Sequence, residues 1–297
     1  MPVYAQLAAD FETPLSAYIK ISSDGGEAFL FESAESSGDS GRYSLLGSNP
    51  RAVIQAVGNE ITFTEAGESR TWTAKKDVLA ELEELMAVYH PSTQDNPPPF
   101  YGGAVGYLSY DAVREFEPSI GEPAGDELGL PDALFIIADT VLVFDHRLRR
   151  LFIVANAFVD DHPTPDASYQ DACARIEDTL NKLDTELHIP PLNGMAEYDT
   201  PQARSNTTQQ EYEGMVVKAK EYIAAGDAFQ IVPSQRFETD FSGSPVDLYR
   251  ALRHVNPSPY MFILQLDDFA LVGSSPEVHV RAINGRIDIR PIAVTRW

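Results

Sequence analysis

The sequence predicts a mixed fold of helices and strands, with most of the strands in its first half. Short segments there alternate apolar and polar residues, as strands with one buried face do. Longer segments repeat apolar residues at helical spacing and begin at residues that cap helices. Residues 188–206 are polar and contain prolines, which predicts a linker. We therefore expect two units, over residues 1–190 and 205–297.

The elements of the first half follow from these patterns. Gly58 and Asn59 separate two alternating segments and predict a hairpin turn. Asp77 precedes an apolar helical stripe and is its predicted N-cap. The predicted strands cover residues 27–33, 51–57, 60–66, 133–146 and 149–158, and the predicted helices cover residues 75–90 and 169–183.

The second half begins with a capping-box pattern at Thr207 and Gln210, which opens a helix that Gly226 ends. Ser244 is the predicted cap of a further helix with Pro245 at its first position. The predicted strands cover residues 227–241, 255–266, 269–273, 277–283 and 286–290. Pro233 lies inside the first of them and predicts an edge strand or a bulge there.

Composition limits the classes of partner. The chain has 22 Lys and Arg against 45 Asp and Glu, a formal charge of -23, and such a surface repels nucleic acid and anionic membranes. Cys173 is the one cysteine, which excludes an intrachain disulfide and a cysteine-based metal site. The first residues do not form a signal peptide pattern, and the longest apolar run, 134–144, is short and contains Asp139. We expect a cytoplasmic protein without a membrane span.

Two segments contain residues suited to chemistry. Glu277 stands at the predicted head of a strand, where burial would make it a general acid and exposure would leave it a solvated carboxylate. Gln230, Ser234 and Arg236 lie on one face of the predicted strand 227–241. That face suits a small anionic ligand, and the alternative is an exposed strand surface. From the pattern alone, the solvent-exposed alternatives are favoured.

Several motifs, taken in order, resemble those of anthranilate synthase component I, a chorismate-utilising family. They are GDAFQIVPSQRF, NPSPYMFIL, GSSPE and RPIAVT in the second half, and FESAE, GRYSLLGSNP and GGAVGYLSYDAVREFE in the first. The resemblance covers the chain from about Phe29 onward. It implies an α/β (mixed α+β) fold in which large, mostly antiparallel sheets pack as a sandwich with outer helices.

The resemblance also implies a reaction. Ammonia adds to chorismate with the assistance of Mg2+, the C4 hydroxyl leaves, and elimination of pyruvate gives anthranilate. A glutamine amidotransferase partner, component II, supplies the ammonia. Glu277 matches the general acid that protonates the leaving hydroxyl, Gln230 matches the position where water-using relatives carry a lysine base, and Thr295 matches a residue of the chorismate ring site. Ala293 stands where aminodeoxychorismate synthase component I, the nearest alternative, usually has lysine.

A tryptophan feedback pocket is implied as well. Glu32, Ser33 and Arg42 match its first part. The second part is matched by Asn256, Pro257, Pro259, Tyr260 and Met261. A carboxylate suits the ligand ammonium, and proline and tyrosine surfaces suit an indole. The alternative is that residues 29–33 form only a core strand followed by a turn.

The chain departs from the family pattern near Trp297. Val294 stands where the pattern has glycine, and Trp297 stands where it has proline. The glutamates that hold Mg2+ and the catalytic histidine belong to a later part of the pattern. We therefore expect a truncated chain that does not make anthranilate by itself. It would be an incomplete large subunit, a tryptophan-binding fragment without catalysis, or a remnant without function.

Overall fold

The computed structural model describes residues 1–33, 41–92, 97–121, 125–192, 202–283 and 285–289. In chain order the elements are β1 (Pro2–Ala8), α1 (Pro14–Ile21), β2 (Ala28–Glu32), β3 (Tyr43–Ser48), β4 (Ala52–Val57), β5 (Glu60–Glu65), β6 (Glu68–Thr73), α2 (Val78–Met86), β7 (Gly103–Leu108), α3 (Val113–Phe116), β8 (Ala133–Ala138), β9 (Thr140–Asp145), β10 (Arg150–Asn156), α4 (Pro165–Leu183), β11 (Arg204–Ser205), α5 (Gln209–Ala225), β12 (Phe237–Glu238), α6 (Pro245–Val255), β13 (Tyr260–Leu266), β14 (Phe269–Ser275), β15 (Arg281–Ile283) and β16 (Arg286–Asp288).

Two large antiparallel sheets contain most of the described strands. The seven-stranded sheet has the order β1-β10-β9-β3-β2-β13-β14, and the five-stranded sheet has the order β6-β5-β4-β8-β7. Short pairs, β11 with β12 and β15 with β16, lie elsewhere in the chain. The predicted class, a mixed fold with large antiparallel sheets, is confirmed.

The two sheets pack face to face, and helices cover their outer faces. Phe29 and Val143 of the seven-stranded sheet share one buried cluster with Ile136 of the five-stranded sheet. On the outer face of the larger sheet, Tyr18 of α1, Ile176 of α4 and Tyr249 of α6 join a second cluster. Val78 of α2 joins a third cluster on the outer face of the smaller sheet. Burial of apolar area in all three layers stabilises this sandwich.

The chain passes between the sheets at two neighbouring places. The apolar run 133–145 is not one strand: β8 belongs to the smaller sheet, β9 belongs to the larger, and Asp139 lies between them. The connection from β3 to β4 crosses beside it, where the N–H of Arg51 donates to the carbonyl of Ile137 over 2.9 Å. On β9, Val143 faces the other sheet and Leu142 faces the helices, which explains why the run lacks alternation.

The predicted helix signals are partly confirmed. Asp77 caps α2 through a 2.8 Å bond from the N–H of Ala80, and Gly226 ends α5 with a φ of 86°. The capping box of α5 is Thr208 with Glu211, so the prediction of Thr207 with Gln210 was wrong by one residue. The Glu211 carboxylate accepts from both the N–H and the hydroxyl of Thr208, which favours this register.

Two predicted strands are much shorter in the structure. Of residues 227–241, only Phe237–Glu238 pairs, and its partner is the two-residue strand β11. Of residues 277–283, only Arg281–Ile283 pairs, with β16. A strand needs a neighbour to satisfy its backbone, and Pro233 offers no N–H to one. Gln230, Ser234 and Arg236 therefore do not share the face of a regular strand.

The chain divides into two compact units. The first contains residues 1–190 and 245–276, and the second contains residues 191–244 and 277–297. The break at residue 190 coincides with the end of the predicted first unit. Residues 245–276, assigned by sequence to the later unit, belong to the first because β13 pairs with β2 and extends its sheet.

Candidate functional site

The two segments predicted to form a tryptophan pocket lie side by side in the seven-stranded sheet. Strand β2 pairs with β13, and Met261 stands directly opposite Glu32. Directly opposed residues of antiparallel strands point to the same face. The structure thus brings together two residues that are more than 200 positions apart in the chain.

The carboxylate of Glu32 is the buried polar centre of this region, with its side chain 4% exposed. Its Oε2 accepts from the Tyr249 hydroxyl over 2.8 Å, and its Oε1 accepts from Nη2 of Arg253 over 2.7 Å. Burial raises the pKa of Tyr249, and the negative charge of Glu32 raises it further, so the phenol stays protonated and donates. Both donors belong to α6.

A second polar pair lies at the same end of the sheet. Oγ of Ser44 and Nε2 of His146 are 2.8 Å apart, and the His146 ring stacks on Phe144 at a centroid distance of 6.3 Å. Desolvation lowers the pKa of His146, against the opposing effect of Glu32 and Asp145. A neutral imidazole at pH 7 follows from this lowered pKa.

Arg42, the third residue of the predicted first part, is held by Asp145. Its Nη2 donates to Oδ2 over 2.8 Å and its Nε donates to Oδ1 over 3.3 Å. Oδ1 also accepts from the N–H groups of Arg147 and Leu148, in the turn between β9 and β10. Asp145 therefore fixes Arg42 and the hairpin together.

Asp145→Asn should destabilise the chain by about 1–2 kcal/mol at pH 7, because it removes charge-assisted bonds. Burial opposes ionisation of Asp145, but the bonds from Arg42 and the backbone outweigh it and lower the pKa. Because the folded-state pKa is lower than the unfolded value of about 4, ionised Asp145 stabilises the folded protein above that value. This stabilisation is lost as the pH falls through the folded-state pKa. Urea unfolding at pH 7 and pH 3 tests this. If the free energy of unfolding differed between variant and parent by the same amount at both pH values, the proposed role of the Asp145 charge would be wrong.

The second predicted segment joins α6 to β13. The N–H of Asn256 donates to Leu252 O over 2.8 Å, and its carbonyl accepts from Oγ of Ser274 over 2.6 Å. Pro257 and Pro259 flank Ser258, which is 5% exposed and whose Oγ has no hydrogen-bond partner in the described part of the chain. Burying an unpaired hydroxyl costs about 1–3 kcal/mol.

Sequence reasoning placed Ser33, Tyr260 and Met261 in this region and missed Tyr249 and Arg253. Ser33 follows β2 and is partly buried, Tyr260 is 38% exposed and Met261 is buried. Tyr249 and Arg253 are four residues apart and so project from one side of a helix. That spacing was visible in the sequence, but nothing in it indicated that Glu32 was their partner.

The residues predicted for catalysis belong to the second unit. Glu277 follows β14 in irregular structure and is exposed, and Gln230 is exposed in the irregular segment before β12. Arg236 is paired with Glu238 at 2.7 Å. Thr295 and Ala293 lie outside the described residues. The burial that would make Glu277 a strong general acid is not present in this structure.

Across the described ranges, His, Cys, Asp and Glu side chains do not gather in any group of three or more that could hold a metal ion. The described residues therefore do not by themselves form the carboxylate site for Mg2+ that the resemblance implies. Where the structure describes helices, none is both long and apolar enough to cross a membrane.

A separate cavity of about 120 Å³ lies on the outer face of the larger sheet. It is lined by Ile21, Ser48, Asn49, Asp139, Thr140, Leu142, Arg175, Asp178, Thr179 and Lys182. Arg175 pairs with Asp139 at 3.0 Å, and Lys182 pairs with Asp24 at 2.8 Å. Burial raises the pKa of Asp139, against the effect of Arg175. Since the cations of this cavity have acidic partners, it is a structural polar cluster.

Comparison with known proteins supports the resemblance. The family profile described as chorismate binding enzyme matches residues 26–297. The chain belongs to the family of chorismate-binding enzymes. Anthranilate synthase component 1 of Pseudomonas aeruginosa is 39% identical over 301 residues, and that of Aquifex aeolicus is 37% identical over 297 residues. The matches cover the whole chain but only 60% and 59% of those relatives.

Two solved structures have a similar fold. The crystal structure of anthranilate synthase component I from Streptococcus pneumoniae matches with a TM-score of 0.64 and 30% identity, covering 84% of this chain and 54% of the other. The menaquinone-specific isochorismate synthase of Escherichia coli matches with a TM-score of 0.50 and 10% identity, covering 94% of this chain and 51% of the other. The second similarity concerns the fold alone.

Proposed function

We propose that the chain is part of component I of an anthranilate synthase, which converts chorismate and ammonia into anthranilate and pyruvate for tryptophan biosynthesis. The observation that carries the proposal is identity of 36–39% to proteins of that name along essentially the entire chain. The chain spans about 60% of the length of those relatives, so the activity is proposed for the complete enzyme.

Within that enzyme, Glu277 protonates the departing C4 hydroxyl of chorismate. Hydroxide is a poor leaving group, so a positioned acid accelerates its loss. In this structure Glu277 is exposed, and the proposed role requires substrate or additional protein to desolvate it. Gln230 is neutral and removes no proton, which fits ammonia as the nucleophile, since ammonia attacks without deprotonation. Thr295 contacts the chorismate ring.

The proposed partners follow from the same reaction. A glutamine amidotransferase subunit, component II, delivers ammonia in the cytoplasm. L-Tryptophan is the proposed feedback inhibitor, and its ammonium group is bound at Glu32. The proximity of Glu32 to Met261, and the orphan hydroxyl of Ser258 in the adjoining segment, support a ligand site there.

The test uses a chimaera in which this chain replaces the matched part of the Pseudomonas aeruginosa relative. The chimaera should release fluorescent anthranilate from chorismate, ammonia and Mg2+, whereas the 297-residue chain alone should release none. A folded chimaera that consumes no chorismate would contradict the proposal. Formation of aminodeoxychorismate instead would support the nearest alternative, which Ala293 opposes.

The second candidate is a tryptophan-binding protein without catalysis. The paired segments around Glu32 lie wholly in the first compact unit, so they do not depend on the residues proposed for catalysis. Thermal unfolding of the chain with and without L-tryptophan tests it, because a ligand that binds only the folded state raises the midpoint. Binding by the chain together with an inactive chimaera would favour this candidate.

A further inference from the structure

We propose that Tyr249 and Arg253 are positioning residues, which hold the Glu32 carboxylate in the orientation that receives the ammonium group of an amino-acid effector. This inference rests on the proposed tryptophan site and names residues for which neither the motifs nor the comparisons suggest a role. Neither residue is proposed to touch the ligand. They act through Glu32.

The burial of Glu32 makes its hydrogen-bond donors necessary. A carboxylate with 4% of its side chain exposed needs donors, because an unpaired buried charge is strongly unfavourable. Tyr249 supplies one donor to Oε2, and Arg253 supplies one to Oε1. Among the described residues, each oxygen is bonded once and from a different side chain, so the plane of the carboxylate is fixed.

The Glu32 carboxylate keeps room for further hydrogen bonds. An ionised carboxylate has about four lone-pair sites on its two oxygens, and α6 occupies two of them. Each oxygen can therefore accept another charge-assisted bond from a ligand ammonium. Orientation matters for that bond because its strength falls steeply when the donor is misaligned.

Helix α6 is joined to both segments of the proposed pocket. Its residues Tyr249 and Arg253 hold Glu32 on β2, and its C-terminus leads through Asn256 into the strand that carries Met261. One helix thus connects the two segments of the proposed pocket. Ser258, whose buried hydroxyl has no partner among the described residues, lies in this connection.

The experiment measures binding of two ligands to the full chain by calorimetry. L-Tryptophan and indole-3-propionate share the indole and the carboxylate, and only tryptophan has the ammonium. The dissociation constant of indole-3-propionate divided by that of tryptophan isolates recognition of the ammonium through Glu32. Tyr249→Phe should reduce this ratio about tenfold and leave the affinity for indole-3-propionate unchanged. Arg253→Lys keeps the charge but loses the planar fork, and should reduce the ratio about threefold.

Arg250→Lys is the matched control on the same helix, because Arg250 binds Asp247 and Pro190 rather than Glu32. It should leave the ratio unchanged. A purely structural role for Tyr249 and Arg253 would weaken both ligands equally, so an unchanged ratio in both variants overturns the inference while the tryptophan site stands. Failure of the parent chain to bind tryptophan overturns the site and the inference together.

Discussion

Glu277→Gln in the chimaera is expected to lower the rate of anthranilate formation by about 100- to 10,000-fold, the range that general acid catalysis contributes. Glutamine keeps the size and polarity of the side chain but cannot release a proton to the departing hydroxyl. The loss should appear in kcat more than in KM, because protonation occurs on the way to the transition state. Steady-state fluorescence of anthranilate measures both.

The matched control is Glu221→Gln on α5, which removes one exposed carboxylate from the same compact unit. Its activity should equal that of the parent chimaera. If Glu277→Gln also retained full activity, the role carried over from the family resemblance would be wrong. A fall in activity without any change in the folded fraction would separate chemistry from stability.

Gly106→Ala is expected to destabilise the first unit by about 3 kcal/mol or more, through overpacking against a neighbouring backbone. A Cβ at Gly106 would lie 1.9 Å from the carbonyl oxygen of Leu134 and 2.7 Å from Cα of Phe135. Both atoms belong to β8, which pairs with β7 at this position. The strand itself would have to move, because a rotamer change cannot relieve a contact with backbone.

Gly214→Ala provides the opposite case. Gly214 lies inside α5, and a Cβ there would meet nothing within 4 Å. Alanine should stabilise this helix by roughly 0.5–1 kcal/mol, because glycine loses more backbone entropy on folding. Urea unfolding followed by circular dichroism compares the two variants. Equal effects from both substitutions would contradict the packing explanation.

Local sequence signals predicted the elements whose hydrogen bonds are made between neighbouring residues. The hairpin at Gly58 and the cap at Asp77 depend on adjacent residues, and both are present. Helix α1 was missed because its capping box joins Thr13 to Ser16, where the usual signal has Glu or Gln. Strands β1 and β3 were missed as well. Strand β1 pairs with β10, and β3 lies between the nearby β2 and the distant β9, whose paired residues are more than 95 positions further along the chain.

The candidate site shows the same limit. Motifs indicated Glu32 and Met261 because each segment is characteristic by itself. The bond from Tyr249 to Glu32 spans 217 positions, and the local pattern of α6 indicates only a helix with one apolar side. For Gln230, the alternating pattern predicted a strand, but pairing depends on a neighbour that the structure provides only for Phe237–Glu238.

The two neighbouring crossings between the sheets, at Asp139 and before Arg51, have a consequence for cooperativity. Each sheet contains a strand that continues directly into the other, and the two continuations are hydrogen-bonded to each other. If strand pairing is lost at these crossings in one sheet, a strand of the other sheet is displaced as well. The sandwich should therefore melt in a single transition.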